Sequence, residues 1–333
     1  MSPLLQVEEL SINIATTAGT LHAVRGVSFA LSMGETLCIV GESGCGKSLT
    51  ALALLGLLPK KAVRRAKRLS LGDEDLLRAA PMRIAALRGN RMSMIFQEPM
   101  TSLNPVFTLG EQLTAVFLQH RRASRSEATE RALYLLDRVG VTSSRERLRQ
   151  YPHELSGGLR QRVMIAMALM CEPDLLLADE PTTALDVTVQ AELLRLLSDL
   201  KAEFGMAMIL ITHDLGIVSR MADQILVMYA GEVVESGTTG DIFRRPAHPY
   251  TRGLLECLPE SGHIRGGRLP FIRGTVPSLI GDTEGCRFSP RCDHARAACS
   301  AAIPLIRHPG FHPSRCILAP DSFFEAEARS CSK

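Results

Sequence analysis

The sequence has little surplus charge, no long apolar run and no leader-like start. Its 38 lysines and arginines nearly balance 35 acids, so the net charge is +3. That is too small to argue by itself for a nucleic-acid partner. The richest apolar stretch, residues 163–178, is broken by Glu172, Pro173 and Asp174, which excludes a helix crossing a bilayer. The opening MSPLLQVEEL lacks the basic region and apolar core of a secretory signal. A chain that stays in the cytoplasm is therefore expected, and any work at a membrane is expected to proceed by docking to other subunits. Internal repeats and low-complexity tracts are also absent.

Strand and helix signals alternate, which predicts an α/β fold. Residues 35–40 (ETLCIV) read as a buried strand running into a glycine-rich turn, and residues 48–58 as a helix ending before Pro59. Residues 92–96 (MSMIF) give another strand signal, and residues 124–139 have helical spacing. Short apolar runs at 175–178, 208–212 and 224–229 look like buried parallel strands. No strand pattern occurs between Pro105 and Met170, so a helical insert is expected there. Apolar residues at 46% allow a substantial core, and 333 residues suit one large domain with an extension. Beyond about residue 245 proline and glycine become frequent, so 246–333 reads as a loop-rich appendage on a domain of residues 1–245.

Nine cysteines are unevenly placed. Cys38, Cys45, Cys171 and Cys257 read as ordinary thiols, whereas Cys286, Cys292, Cys299, Cys316 and Cys331 crowd the appendage. In a cytosolic chain such a cluster points to metal more than to disulfides.

The run Gly41-Glu42-Ser43-Gly44-Cys45-Gly46-Lys47-Ser48 fits the P-loop pattern G-x-x-x-x-G-K-S. Its glycines let backbone N–H groups turn inward around phosphates, and the following helix offers its positive end to the anion. Lys47 would neutralise the β and γ phosphates, and Ser48 would ligate Mg²⁺. A chance match in a glycine turn is the bland reading; the strand before and the helix after argue against it. A second acidic site stands at Asp179 and Glu180, after the strand signal 175–178. Asp179 would hold Mg²⁺ through water, and Glu180 would orient or deprotonate the attacking water. By itself a strand ending in solvated acids is common; behind a P-loop it gains weight.

Leu155-Ser156-Gly157-Gly158-Leu159-Arg160-Gln161-Arg162 precedes a helix with apolar Leu159, Val163, Met167 and Met170. Ser156 can cap that helix, and Gly157 and Gly158 leave its first amides open to an anion. Standing alone, the segment could equally be a capped amphipathic helix with no ligand.

Taken in order, these motifs resemble those of ATP-binding-cassette (ABC) ATPases. Leu155 to Arg162 is similar to the signature motif, and Gln97, after MSMIF, to the Q-loop glutamine. Thr183-Ala184-Leu185-Asp186 is similar to the D-loop, and His213, after MILIT, to the switch histidine. One histidine among nine is usually incidental, so His213, like Gln97, stands out only by its place among the other motifs. The resemblance implies a P-loop NTPase fold with a RecA-like core, a helical subdomain at about 105–170 and a loop-rich C-terminal extension. It implies that Gly41 to Ser48, with Leu49, bind ATP, that Ser48, Gln97 and Asp179 serve Mg²⁺, and that Glu180, His213 and Gln97 act in hydrolysis. It also implies a head-to-tail pair of ATPases, in which Ser156, Gly157 and Gly158 of one cover ATP held by the other. The signature has Leu159 where many relatives have Gln. Residues 14–24 contain no aromatic side chain for adenine stacking, and only His22 offers a ring.

Within that family the chain most resembles the ATPase subunits of dipeptide/oligopeptide importers, over nearly its whole length. The resemblance is carried by GESGCGKS (41–48), FQEPMTSLNP (96–105), YPHELSGGLRQR (151–162) and ADEPTTALDVTVQ (178–190). His248-Pro249-Tyr250-Thr251 and the cysteine-bearing tail match as well. It implies peptide import powered from the cytoplasmic face of the inner membrane, with the chain bound peripherally. The implied partners are a paralogous ATPase, two transmembrane permease subunits and an extracytoplasmic solute-binding protein, with no nucleic acid. Nickel and glutathione importers share much of the pattern. A soluble ABC ATPase acting on DNA or ribosomes is the competing class, but its long coiled coils or paired cassettes are absent. A degenerate regulatory module is disfavoured by the intact Lys47, Asp179, Glu180 and His213. In the tail, Cys286-x5-Cys292-x6-Cys299-x16-Cys316 would allow Zn²⁺ or an iron–sulfur cluster by spacing. Some members of the resembled branch carry a [4Fe–4S] cluster at such cysteines, where it would pin a tail too small to build its own core.

Overall fold

The computed structural model describes residues 3–98, 102–182, 186–258, 271–281 and 284–318. The first strands in chain order are β1 (Leu5–Thr16), β2 (Gly19–Leu31), β3 (Thr36–Val40), β4 (Ala62–Arg65), β5 (Arg68–Leu71) and β6 (Glu74–Asp75). They are followed by β7 (Met92–Ile95), β8 (Leu175–Asp179), β9 (Ala207–Thr212), β10 (Gln224–Tyr229), β11 (Glu232–Thr238), β12 (Ile306–Arg307) and β13 (Pro313–Ser314). Helices begin with α1 (Lys47–Leu55), α2 (Pro81–Leu87), α3 (Leu109–His120), α4 (Arg125–Arg138) and α5 (Ser144–Arg147). They continue with α6 (Gly157–Ala168), α7 (Val187–Phe204), α8 (Leu215–Met221), α9 (Thr239–Arg244) and α10 (Pro249–Glu256).

The chain forms two compact units. The first comprises Leu5–Ala30, Thr36–Leu71 and Thr212–Lys333. Here β1 pairs antiparallel with β4 and β5. Strand β3 runs parallel to β10, which pairs antiparallel with β11. The short β13 and β12 then extend that edge. All five residues of β3 are buried. A parallel strand covered on both faces reads as an unbroken apolar run, which is why ETLCIV was recognisable. Helix α1 leaves the turn at Gly46 and ends at Gly56 (φ 64°), two residues before the expected stop.

The second unit comprises Met1–Leu4, Leu31–Glu35 and Gly72–Ile211. In it β8 lies between β7 and β9, parallel to both. Between β7 and β8 the described residues form α3 to α6 and a 3-10 turn, with no strand. Thr108 with Glu111 opens α3, and Ser124 with Glu127 opens α4, each as a reciprocal capping box. Arg131 donates to the carbonyls of Leu169 and Met170, both at 3.2 Å, satisfying acceptors that the end of α6 leaves open.

Candidate functional site

The turn between β3 and α1 is shaped by its neighbours in the first unit. Gly41 has φ 152°, and a Cβ there would collide with the Met228 carbonyl oxygen at the end of β10. Gly46 has φ 99°, and a Cβ there would meet the Ala23 carbonyl oxygen at 2.5 Å. Backbone conformation and crowding therefore both require glycine at the two ends of the loop. Cys45 is fully buried, while Ser43 and Gly44 are exposed at the loop's crest. Lys47 is buried, and its ammonium donates to the carbonyls of Gly41 (2.8 Å) and Glu42 (3.0 Å). Ser48 and Leu49 follow in the first turn of α1. A cation, open amides and a helix N-terminus on one short loop are what a polyphosphate needs.

In the second unit Asp179 closes β8 and is buried, and Glu180 follows it with φ 45°. The Glu180 N–H donates to the Ile211 carbonyl at 2.9 Å. Gln97, exposed after β7, donates through Nε2 to Glu180 Oε2 at 3.1 Å. The structure thus joins two residues that are 83 positions apart in sequence. Ser156 caps α6, its hydroxyl accepting from the Leu159 N–H at 3.4 Å. A Cβ on Gly157 or Gly158 would meet nothing within 4 Å among the described residues, so none of them demands glycine at either position. His213 is exposed in the first unit, one residue before Asp214 caps α8. His22 bonds Asn13 through Nδ1 at 2.9 Å. Residues 183–185 of the D-loop run, 99–101 after the Q-loop glutamine, and Cys331 lie outside the described residues.

The sequence reading gave no task to His248-Pro249-Tyr250-Thr251, and the structure does. Buried His248 caps α10, accepting the Tyr250 N–H at Nδ1 (3.0 Å). Burial, reinforced by the Arg315 charge, pushes its pKa down to about 3 and keeps the ring neutral for that bond. Tyr250 then accepts the Glu42 N–H at its hydroxyl, 2.9 Å away, and so touches the P-loop. The sequence has four tyrosines and no tryptophan. Two of the four, Tyr229 and Tyr250, meet here with ring centroids 4.7 Å apart, and Phe288 packs on them at 5.3 and 5.4 Å. Each such pair adds about 0.5–1.5 kcal/mol beyond the area it buries.

Beyond Phe288, Cys286, Cys292, Cys299 and Cys316 line one largely apolar cavity with His248 and His294. Burial pushes the thiols of Cys286, Cys292 and Cys316 up, Cys316 to about 11, and the neighbouring cysteines push the same way. The three sulfurs of Cys286, Cys292 and Cys316, whose ionisation burial and neighbouring cysteines oppose, need a cationic partner to become thiolates together. Among the described residues no three His, Cys, Asp or Glu side chains are grouped so as to hold a metal ion.

The chain is also similar to known proteins. A model of the ABC transporter family matches residues 24–183, and a model of the oligopeptide/dipeptide transporter C-terminal region matches residues 234–299. The dipeptide transport ATP-binding protein DppD of Bacillus subtilis is 48% identical over 305 residues, covering 91% of each chain. The chain belongs to the ATP-binding subunits of the dipeptide/oligopeptide ABC importer family. The oligopeptide transport ATP-binding protein OppD of Salmonella typhimurium is 48% identical to this ABC subunit over 312 residues, 94% of this chain and 92% of its own. Among solved structures, cbiO1 of Clostridium perfringens, part of the ABC transporter complex cbiONQ, matches with a TM-score of 0.61 at 28% identity. That match covers 73% of this chain and 91% of cbiO1. A dimeric ATP-binding cassette bound to ADP and Pi matches with a TM-score of 0.63 at 25% identity, over 71% of this chain and 98% of its own. The fold is that of an ABC-type P-loop ATPase.

Proposed function

We propose that this subunit binds and hydrolyses ATP to power import of di- or oligopeptides across the cytoplasmic membrane. The observation carrying the cargo class is the match of residues 234–299 to the C-terminal region of oligopeptide/dipeptide transporters. In this reading residues 1–245 are the ATPase domain, with its helical subdomain at about 105–170, and 246–333 are the extension. Among the described residues no helix is long and apolar enough to cross a membrane. We place the chain peripherally at the cytoplasmic face, docked to two permease subunits that are served by an extracytoplasmic solute-binding protein.

Gly41 to Ser48 and Leu49 hold the nucleotide, with Lys47 against the β and γ phosphates. Ser48, Asp179 and Gln97 would hold Mg²⁺, which would draw charge from the phosphates. Glu180 takes the proton of the attacking water, and His213 contacts the γ-phosphate. The other half of the site comes from a paralogous ATPase, and Ser156, Gly157 and Gly158 here complete that partner's site. The open space around Gly157 and Gly158 supports this, because a ligand brought by another chain gives those glycines a purpose. The test is the reconstituted complex in liposomes. Solute-binding protein loaded with di- or oligopeptides should raise ATP turnover several-fold; stimulation by nickel or glutathione alone would reassign the cargo.

We also assign a [4Fe–4S] cluster to Cys286, Cys292, Cys299 and Cys316. The four cysteines share one cavity wall, and the assignment rests on that placement together with the tail's resemblance to the peptide-importer branch. Bound there, the cluster would cross-link four points of a tail with little core of its own. Anaerobically purified protein should be brown, and Cys286→Ser should bleach it and remove its iron. A colourless, iron-free wild-type preparation, or one carrying stoichiometric zinc, would eliminate the cluster.

A further inference from the structure

The P-loop is held from outside by the cysteine-bearing extension. Arg291 precedes Cys292 and lies in the 3-10 turn Ser289–Arg291, next to the cavity wall. Its Nη1 pairs with the carboxylate of Glu42 at 2.8 Å, and its side chain is only 6% exposed. Its other two nitrogens are bonded too: Nε donates to the Arg273 carbonyl at 2.8 Å, and Nη2 to the Ile272 carbonyl at 3.1 Å. The Tyr229 hydroxyl lies 3.3 Å from Nη1. A guanidinium fixed on several sides differs from an exposed ion pair, whose long side chains must be ordered for little gain.

Glu42 is the pivot of the loop. Its carbonyl accepts both the Cys45 N–H (3.3 Å) and the Lys47 ammonium (3.0 Å). Its N–H goes to Tyr250 and its side chain to Arg291. All three of its polar groups, the N–H, the carbonyl and the carboxylate, are thus committed, two of them to residues beyond 245. Any rotation of Glu42 moves the carbonyl that carries Lys47.

We propose that Arg291 is a positioning residue of the phosphate loop, whose ion pair with Glu42 lets the cysteine-bearing extension set the loop's affinity for ATP. Arg291 touches neither nucleotide nor the reacting atoms; it acts through Glu42. The proposal rests on the phosphate role of the loop, which Lys47→Ala tests separately. It does not depend on which group the cysteines hold.

The experiment is a double-mutant cycle in the full-length protein. Arg291→Gln, Glu42→Ala and the double variant are titrated with a fluorescent ATP analogue and Mg²⁺, with unfolding midpoint and iron content read on the same samples. Each single variant should weaken binding about tenfold, and the double variant no more than either single. Turnover of the Arg291→Gln variant at saturating ATP should change less than about twofold, so its KM moves and its kcat does not. Wild-type affinity in the single variants, losses that multiply in the double variant, or losses that track the unfolding midpoint would overturn the proposal. If Arg291→Gln does not fold, Arg291→Lys decides, because it keeps the charge and loses the fork held by the Arg273 and Ile272 carbonyls: a severalfold loss of affinity at an unchanged midpoint supports the proposal, and unchanged affinity rejects it.

Discussion

Glu180→Gln is expected to slow ATP turnover by about two to four orders of magnitude while leaving nucleotide affinity within a few-fold. The substitution keeps the shape of the side chain and its contact with Gln97, and removes only the ability to take a proton. The geometry makes this a clean test. Glu180 has left-handed backbone (φ 45°), which costs a non-glycine residue about 1–2 kcal/mol. That conformation is held by the N–H bond to Ile211, the partner of Asp179 in the β8–β9 register. The strain places a carboxylate directly after the buried Asp179, where an extended backbone would turn it the other way. Phosphate release under saturating ATP and equilibrium binding of a fluorescent analogue read the two quantities separately. Turnover within tenfold of wild type would move the base to another residue.

The chemistry-bearing loops were legible because each follows a strand buried on both faces. Such strands read as solid apolar runs, so the residues that end them stand out: Gly41 after β3, Asp179 as the last residue of β8, His213 after β9. The half-buried N-terminal strands were not visible in the same way. In β1 the alternation Leu5, Val7 is interrupted because Glu8 and Glu9 both fall between buried Val7 and Leu10, and Glu9 has φ 54°. This extra residue shifts the period and hides a twelve-residue strand from a period-two reading.

The extension was legible only as composition. Its cysteines advertised a site, but the links from that site to the rest of the fold run through long-range partners that no spacing reveals. Glu235 is fully buried, accepts the N–H groups of Ala247 and His248, and is bonded by His312. Arg287 and Arg315, each beside a cluster cysteine, both lie within 4 Å of the Glu232 carboxylate. As isolated letters these residues were a scattering of charges. In the fold they fasten the extension to the β10–β11 hairpin. A signal did exist, since Cys286, Cys292 and Cys316 each have an arginine as immediate neighbour, but it becomes interpretable only when the carboxylates they reach are known.

Lys47→Ala should weaken ATP binding by about 10- to 100-fold and leave the empty protein as stable as wild type, or slightly more so. Both signs follow from one observation. The Lys47 side chain is buried, and its ammonium rests on two backbone carbonyls. Neutral carbonyls compensate a desolvated cation poorly, so the unliganded fold bears a cost that alanine removes. A phosphate supplies the missing negative charge, and a charge-assisted hydrogen bond of this kind is worth about 1.5–3 kcal/mol. The bound state therefore loses what the empty state gains. Titration calorimetry with MgATP and thermal unfolding without nucleotide measure the two effects on one preparation. Unchanged affinity would remove Lys47 from the phosphate site. A marked fall in the unfolding temperature of the empty protein would mean instead that the ammonium holds the loop together through Gly41 and Glu42, making it a structural strut whose loss disables binding indirectly.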